Sequence, residues 1–200
     1  MSLRHPSHIG CAILAAGRSE RLGAPKQLIR LQGVPLVRRT AEVALASNFA
    51  ATALITGHQA EAVKAAVADL PLHQLENPNW QEGIAASIRT AVAWAEKQGY
   101  SHLALTTCDQ WRLSQAHLQN LIAAVSSPTD LAGSEYANTL GIPAIFGSHW
   151  YNQLDTLTGD RGAGRILQTA REAHRIPWPE GLDDLDTEAD LKKAQADRTH

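Results

Sequence analysis

Apolar and polar residues follow two different spacings along this chain, and the two alternate. Short apolar runs predict buried strands, whereas apolar residues that recur every three or four positions predict helices with one buried face. The predicted strands are residues 9–14, 52–56, 72–75, 102–107, 130–136, 141–146 and 173–178. The predicted helices are residues 36–45, 61–69, 84–98 and 115–125, with further helices introduced by residues 158–165 and after Thr187. Strands that alternate with helices indicate a layered α/β fold with a largely parallel sheet.

Residues that favour helix ends support these boundaries. Pro35 suits the first turn of a helix, and Pro71 cannot continue the helix before it. Ser114 and Thr187 are good N-caps because a hydroxyl oxygen can accept a hydrogen bond from a free backbone N–H. Asp160 is an N-cap candidate of the same kind, although the glycines around it also allow a ligand to approach closely.

Composition and charge narrow the class of protein. The chain has 200 residues, of which 44% are hydrophobic and 19% charged, and we expect a single globular domain over residues 1–200. A formal net charge of −2 gives no reason to expect a nucleic-acid partner. With neither a signal-peptide pattern nor an apolar run of about 18 residues, we expect a cytoplasmic protein with no membrane partner. Cys11 and Cys108 lie in apolar runs, which indicates buried thiols rather than a disulfide or a zinc site.

The segment after the first predicted strand has the composition of a phosphate-binding loop. Small residues let backbone N–H groups approach a polyphosphate, and Arg18, Arg21 and Lys26 offset its charge. The Gly-Lys-Ser/Thr ending of a P-loop is absent, and so is the Gly-x-Gly-x-x-Gly of dinucleotide-binding folds. We expect a polyphosphate ligand to contact Leu14, Ala15, Ala16, Gly17, Arg18, Ser19, Gly23 and Lys26.

This segment reads Leu-Ala-Ala-Gly-x-Ser-x-Arg-x-Gly-x-x-Lys and resembles the signature of the MobA-like nucleotidyltransferases. Its Leu-Ala-Ala-Gly opening is similar to that of the molybdenum cofactor cytidylyltransferases. The resemblance implies a three-layer, Rossmann-like nucleotidyltransferase fold with a mostly parallel mixed sheet. It also implies an enzyme that transfers CMP from CTP to the terminal phosphate of the molybdopterin cofactor, releases pyrophosphate and uses Mg²⁺. Relatives that use guanine tend to carry glycine in place of Ala16, whose methyl group narrows the approach.

The resemblance assigns catalysis to Arg21, Lys26 and Asp109. Arg21 and Lys26 are expected to stabilise charge on the bridging and leaving oxygens of the triphosphate. Asp109 and Gln110 follow a predicted strand and are similar to the Asp-Gln of the family's Gly-Asp-Gln-Pro. In open α/β sheets the carboxyl ends of the strands face the ligand crevice, so Asp109 is expected to face the first loop.

Magnesium takes oxygen ligands and commonly uses one or two carboxylates together with phosphates. Asp109 is the expected first ligand. The segment at 184–191 resembles the family's Asp-Ile-Asp-Thr-Pro-Glu-Asp-Leu. It supplies Asp184 as the candidate second ligand and Asp186 as the fallback. The alternative is that these acidic side chains bind no metal and only stabilise the N-terminus of the last helix electrostatically.

A further family pattern, Asn-x-x-Trp-x-x-Gly-x-x-x-Ser-Leu/Ile-Arg, lies at the start of the helix predicted at 84–98. The residues assigned to it are Asn79, Trp80, Gly83, Ser87, Ile88 and Arg89. Because free N–H groups at a helix N-terminus bind anions, we expect Asn79, Gly83 and Ser87, together with Gln110, to contact the nucleotide. An ordinary capped helix with a surface arginine is the alternative.

Two departures from the family concern the acceptor side. Trp111 stands where relatives have proline, and we expect its ring at the edge of the site. Ile142 stands where relatives have the histidine of Gly-His-Pro-x-x-Phe, and it cannot form that side chain's hydrogen bonds. Residues 158–165 are similar to the family's Gly-Asp-x-Gly-Ala-Arg, with Gly164 either inserted before the arginine or replacing it.

Three other functions therefore remain open. The chain could use GTP with molybdopterin, act on a sugar or alditol phosphate, or be a non-catalytic chaperone that holds the nucleotide-modified cofactor. For the cytidylyltransferase, the implied partners are CTP, a molybdopterin-type acceptor and a molybdenum hydroxylase that receives the product. We expect a monomer.

Overall fold

The computed structural model describes residues 8–18, 25–185 and 187–197. Its strands are β1 (Ile9–Ala15), β2 (Arg30–Leu31), β3 (Val34–Pro35), β4 (Ala51–Thr56), β5 (His73–Glu76), β6 (His102–Thr107), β7 (Leu131–Tyr136), β8 (Thr139–Gly147) and β9 (His174–Pro177). Its α-helices are α1 (Leu36–Ala46), α2 (Ala60–Ala65), α3 (Ile84–Gln98), α4 (Gln115–Ala124), α5 (Tyr151–Asp155), α6 (Gly164–Thr169) and α7 (Glu188–Ala196). The 3₁₀ turns that matter for the site are Lys26–Leu28 and Trp80–Glu82.

Seven strands form one sheet in the order β5-β4-β1-β6-β8-β7-β9. The strands from β5 to β6 are mutually parallel, β8 is antiparallel to both of its neighbours, and β7 is parallel to β9. A mostly parallel mixed sheet is therefore confirmed. The carboxyl ends of β4, β1 and β6 meet at one edge, which is where open α/β sheets bind ligands.

Helices cover both faces of this sheet, so the three-layer arrangement is also confirmed. Alternate side chains of β1 enter two separate cores. Cys11 and Ile13 pack with residues of α1, α4 and α7, whereas Ala12 and Leu14 pack with residues of α3, α5 and α6. Every residue of β1 is buried, as expected for a central parallel strand.

The sequence predicted most boundaries within a residue or two. The caps are confirmed: the Ser114 hydroxyl accepts from the N–H of His117, and Thr187 forms a reciprocal capping box with Asp190. The predicted length of the second helix is wrong, because α2 ends at Ala65. The chain after it turns, and Asp69 forms two hydrogen bonds with Arg38 of α1 at 2.7 and 2.8 Å.

Two further differences lie in the C-terminal half. The N-cap of α6 is Ala163 and not Asp160, which lies elsewhere. Helix α5 was not predicted, since five residues are too few for helical periodicity to show. Its buried residues Tyr151 and Leu154 nevertheless have helical spacing.

Both cysteines are buried and free, as expected. Burial raises the pKa of the Cys11 thiol to about 12. Burial and the neighbouring Asp109 carboxylate raise the pKa of the Cys108 thiol well above its usual range. Among the helices in the described part of the chain, none is long and apolar enough to cross a membrane.

A row of buried hydrogen bonds joins α4 to the β7–β8 pair of the sheet. His117 Nε2 lies 2.7 Å from Ser134 Oγ, and the Ser134 hydroxyl donates to the carbonyl of Pro143 at 2.5 Å. Ser134 therefore accepts from the protonated Nε2 of a neutral imidazole. Trp178 stacks on this ring with a centroid distance of 4.6 Å. Burial lowers the pKa of His117 to about 4.

This imidazole predicts a pH-dependent stability. Above pH 6.5, the ordinary pKa of histidine, His117 is neutral in both states and contributes no pH dependence. Between 6.5 and about 4 only the unfolded chain binds the proton, so stability falls as the pH falls, by at most about 3 kcal/mol. Urea unfolding of wild type and H117Q from pH 7 to 4 should show a smaller loss in the variant. Equal pH slopes would contradict the assignment.

Candidate functional site

A cavity of about 710 Å³ lies beyond the carboxyl ends of β1 and β6. Its walls are the loop after β1, the turn at Lys26–Leu28, the start of α3 and the end of β6. Asp160, from the loop between α5 and α6, completes them. The residues that line it are Leu14, Ala16, Gly17, Arg18, Lys26, Gln27, Trp80, Gln81, Gly83, Ile84, Ser87, Thr107, Cys108, Asp109 and Asp160. Most of the predicted site residues are thus brought together here.

A buried glutamine ties the first loop to its own end. Gln27 Nε2 donates to the carbonyls of Ala15, at 2.9 Å, and Gly17, at 2.8 Å, and only 4% of Gln27 is exposed. These two bonds bring the 3₁₀ turn that carries Lys26 against the loop's beginning. Gln27 was not among the predicted site residues. The sequence could have indicated its role, because Gln27 is a polar residue between Lys26 and the apolar residues that follow it.

Three predicted residues of this loop, Ser19, Arg21 and Gly23, lie outside the described residues. Of the others, Gly17 and Arg18 are exposed to the cavity, and Ala16 is buried in its wall. Ala15 is also buried and contributes its backbone carbonyl to Gln27 rather than a cavity-lining side chain.

Lys26 and Asp109 face each other in the cavity. Their Nζ and Oδ2 atoms lie 3.5 Å apart, with the side chains 17% and 28% exposed. The backbone carbonyl of Asp109 accepts from the N–H groups of Trp111, at 3.0 Å, and Leu185, at 3.1 Å. The cation predicted for the triphosphate and the carboxylate predicted for the metal are therefore adjacent.

Asp184 reaches the same neighbourhood from the far end of the chain. It pairs with Gln110 in an isolated antiparallel bridge, next to the Leu185–Asp109 hydrogen bond. The pKa of the Tyr136 phenol is raised by burial and then by the charges of Asp184 and Asp109, so both carboxylates lie near one hydroxyl. The described residues contain no group of three or more side chains of the usual metal-binding types. Asp186 lies outside the described residues.

The asparagine that organises the start of α3 is Asn77. Asn77 Nδ2 donates to Ser87 Oγ at 3.1 Å, its Oδ1 accepts from the N–H of Asn79 at 2.9 Å, and it is 2% exposed. The predicted Asn79 is exposed and does not line the cavity. The spacing in the sequence could have shown this, because Asn77 and not Asn79 stands three residues before Trp80. Ser87 lines the cavity as predicted.

The loop at 157–160 is fastened to the same helix start. Arg89 donates to the Leu157 carbonyl at 2.7 Å and to Glu82 at 2.6 Å, so its guanidinium holds two segments together. Arg89 lowers the pKa of Glu82 through this hydrogen bond. Gly83, at φ +115°, has no room for a Cβ, which would lie 2.5 Å from the Asp160 carboxylate. Glycine is therefore required here for two reasons, backbone conformation and close approach.

Two residues expected at the site lie elsewhere. Gln110 does not line this cavity; it is 4% exposed and donates to the Ile142 carbonyl at 2.9 Å. The prediction that the Trp111 ring lies at the site's edge is wrong. The ring is 8% exposed in the core, with the Arg112 guanidinium 4.3 Å from its centroid. Both line a second cavity of about 400 Å³ that shares only Cys108 with the first.

We expect Asn77→Ala to destabilise the protein more than Asn79→Ala. The first substitution removes two hydrogen bonds of a buried amide and leaves Ser87 with one partner fewer, which costs about 1–3 kcal/mol. The second removes an exposed side chain with no hydrogen bond in the described structure and should cost little. Urea unfolding of the two variants provides the measurement. A loss for Asn79→Ala as large as that for Asn77→Ala would show that the wrong asparagine has been identified.

Comparison with known proteins agrees with this geometry. The family model described as the MobA-like NTP transferase domain matches residues 11–176. The purine catabolism protein PucB of Bacillus subtilis is 28% identical over 178 residues, 84% of either chain. The nicotine blue oxidoreductase of Paenarthrobacter nicotinovorans is 27% identical over 187 residues, 88% of this chain and 87% of that protein.

Solved structures give the same answer. Rv0371c of Mycobacterium tuberculosis H37Rv is 30% identical, with a TM-score of 0.80 over 94% of this chain and 98% of that chain. A structure of Rv0371c in complex with manganese is 26% identical, with a TM-score of 0.77 over 96% of this chain and 99% of that chain. The matched span contains the first loop, Lys26, the start of α3 and Asp109. This chain therefore belongs to the family of MobA-like NTP transferase domains, has their Rossmann-like fold, and is a nucleotidyltransferase.

Proposed function

We propose that this nucleotidyltransferase transfers CMP from CTP to the terminal phosphate of molybdopterin and releases pyrophosphate. The observation that carries the proposal is the pair of Lys26 and Asp109, 3.5 Å apart in a cavity entered by a loop of small residues. A cation and a carboxylate so placed suit a triphosphate and its metal ion. The choice of CTP and molybdopterin rests further on the Leu-Ala-Ala-Gly form of the loop.

Cleavage of the triphosphate needs positive charge near the oxygen atoms on which negative charge develops. Attack of an acceptor phosphate oxygen on the α-phosphorus forms one P–O bond and breaks the bond to the bridging oxygen of pyrophosphate. Lys26 would leave Asp109 for the triphosphate and stabilise charge on the bridging and leaving oxygens. Arg18, at the cavity wall, can neutralise the outer phosphates. The same role is proposed for Arg21.

The acceptor half needs little acid–base chemistry. A phosphomonoester is already ionised near neutral pH, so positioning and electrostatics carry most of the catalysis. Cys108, the nearest thiol to Asp109 in the chain, is not suited to be a nucleophile. It is 4% exposed, and burial raises its pKa, which keeps it protonated. A covalent cysteine intermediate is therefore not part of the proposal.

The carboxylates fit a magnesium ion. Mg²⁺ uses one or two protein carboxylates together with substrate phosphates, and the cavity offers Asp109, with Asp184 nearby through its bridge to Gln110. When bound, such an ion neutralises the phosphates and polarises them toward attack. The manganese complex of Rv0371c supports a divalent cation in a similar protein.

The wall of the cavity supports the choice of a small base. Ala16 is 3% exposed, and the space opposite it is closed, since a Cβ on Gly57 would lie 2.9 Å from the Ala16 methyl and 2.5 Å from Trp80. A glycine at position 16 would remove the methyl group and leave more space for the base beside this wall. We therefore propose that Ala16 disfavours purines, in keeping with the alanine of the cytidylyltransferases.

A panel of the four nucleoside triphosphates tests the reaction. With Mg²⁺ and molybdopterin, pyrophosphate release should be fastest with CTP, because Ala16 narrows the base site. Equal turnover with GTP would reject the base preference. Turnover of sugar or alditol phosphates without molybdopterin would reject the acceptor and favour another transferase of the same fold.

The two carboxylates should differ in effect. Asp109→Asn should lower kcat by about a hundredfold or more, since one carboxylate-dependent charge interaction of the transition state is lost. Asp184→Asn should raise the Mg²⁺ concentration needed for half-maximal rate. Asp69→Asn, which also breaks an ion pair to a cation but does not line the cavity, is the matched control. A chaperone would show no turnover in wild type and unchanged ligand binding in Asp109→Asn.

A further inference from the structure

Asp160 is a carboxylate brought into the cavity from a loop remote in sequence from every other wall. It precedes α6 and lies against Gly83, at the start of α3. Lys26 and Asp109, the groups suited to the triphosphate and metal, belong to other walls of the same cavity. The reaction proposed above gives Asp160 no role.

The loop that carries Asp160 is fastened to α3 by hydrogen bonds. The Gly159 carbonyl accepts from the N–H of Ala85 at 3.1 Å. Arg89 holds the Leu157 carbonyl at 2.7 Å. The missing side chain of Gly83 leaves the space that the Asp160 carboxylate occupies. Asp160 is thus held at a fixed place on the cavity wall, although its side chain is exposed.

No side chain in the described part of the chain pairs with this carboxylate. Asp160 has neither a hydrogen bond nor an ion pair in the described structure, whereas Glu82 beside it is paired with Arg89. An ionised carboxylate accepts hydrogen bonds and binds cations, so the parts of a nucleotide that it can recognise directly are those with an N–H or O–H donor. A triphosphate offers anionic oxygens and is repelled. The part of a nucleotide suited to Asp160 is therefore the nucleoside.

The surroundings favour the base over the ribose. Asp160 shares the wall beside α3 with Trp80 and Ile84, two apolar side chains that suit the faces of a ring. Ala16 and Trp80 both pack against Gly57, so the wall that narrows the base site continues toward Gly83. A hydrogen-bond acceptor at the edge of an apolar slot reads the edge of the ring inside it.

We propose that Asp160 accepts a hydrogen bond from the exocyclic amino group of cytosine and thereby selects CTP over UTP. Uracil carries a carbonyl oxygen at that position, and a carboxylate facing it is left without a donor and repels it. The inference rests on the proposed use of CTP and adds a residue and a discrimination that Ala16 cannot provide, since cytosine and uracil have the same size.

The test is nucleotide binding without any acceptor, so that the identity of the acceptor does not matter. Isothermal titration of the full chain with CTP and with UTP, in Mg²⁺, gives two dissociation constants for each variant. Wild type should bind CTP at least about tenfold more tightly than UTP, as expected for a hydrogen bond to a charged group. Asp160→Asn should lose most of this ratio, with weaker CTP binding and equal or tighter UTP binding, since an amide can donate as well as accept. Asp160→Ala should weaken CTP without improving UTP.

Asp155→Asn is the matched control, because it removes an acid from α5, outside the cavity, and should leave both constants unchanged. An unchanged CTP/UTP ratio in Asp160→Asn overturns the inference while the proposed reaction stands. Asp160→Asn could instead weaken the binding of CTP and of UTP by the same factor, and wild type could bind 2′-deoxy-CTP more weakly than CTP by that factor. Together these results would place Asp160 at the ribose and would also overturn the inference. A wild type that binds neither nucleotide overturns the proposed function as well.

Discussion

The parallel pairing of β1 with β6 is the constraint on which the site depends. It sets Leu14 opposite Thr107, so that the first loop and Asp109 leave the sheet at the same edge. A register slip of two residues would move one of them about 7 Å relative to the other. The 3.5 Å approach of Lys26 to Asp109 would then be lost. The buried core on both faces of β1 enforces this register, since a slip of one residue would exchange its two sets of side chains.

Around this edge, buried or half-buried polar side chains hold the loops that carry the chemistry. Gln27 fastens the first loop, Asn77 fastens the start of α3, and Arg89 fastens the loop before Asp160. Each bonds mainly to backbone or to a buried hydroxyl, and each lies beside, rather than at, the proposed contacts with substrate. Preorganised groups cost no reorganisation when charge develops, which is what transfer of a nucleotidyl group requires.

The sequence predicted the elements and the donor loop well because their signals are local. Apolar runs, capping residues and the small-residue loop each lie within a few positions of one another. What it could not supply depends on contacts between distant segments. Asp160 has the sequence signature of an N-cap, and only the packing of its loop on Gly83 shows a wall of the cavity instead. Trp111 stands two residues after a site aspartate, yet the turn after Asp109 places its ring in the core.

The central claim is that Lys26 and Asp109 act on the triphosphate and its metal ion. A crystal structure with Mn²⁺ and a CTP analogue that cannot release pyrophosphate tests it most directly. The account predicts an anomalous peak at the Asp109 carboxylate and Lys26 Nζ moved from Asp109 to a phosphate oxygen. It is contradicted if the triphosphate lies in the second cavity, beyond Cys108, or if the metal ion has no contact with Asp109.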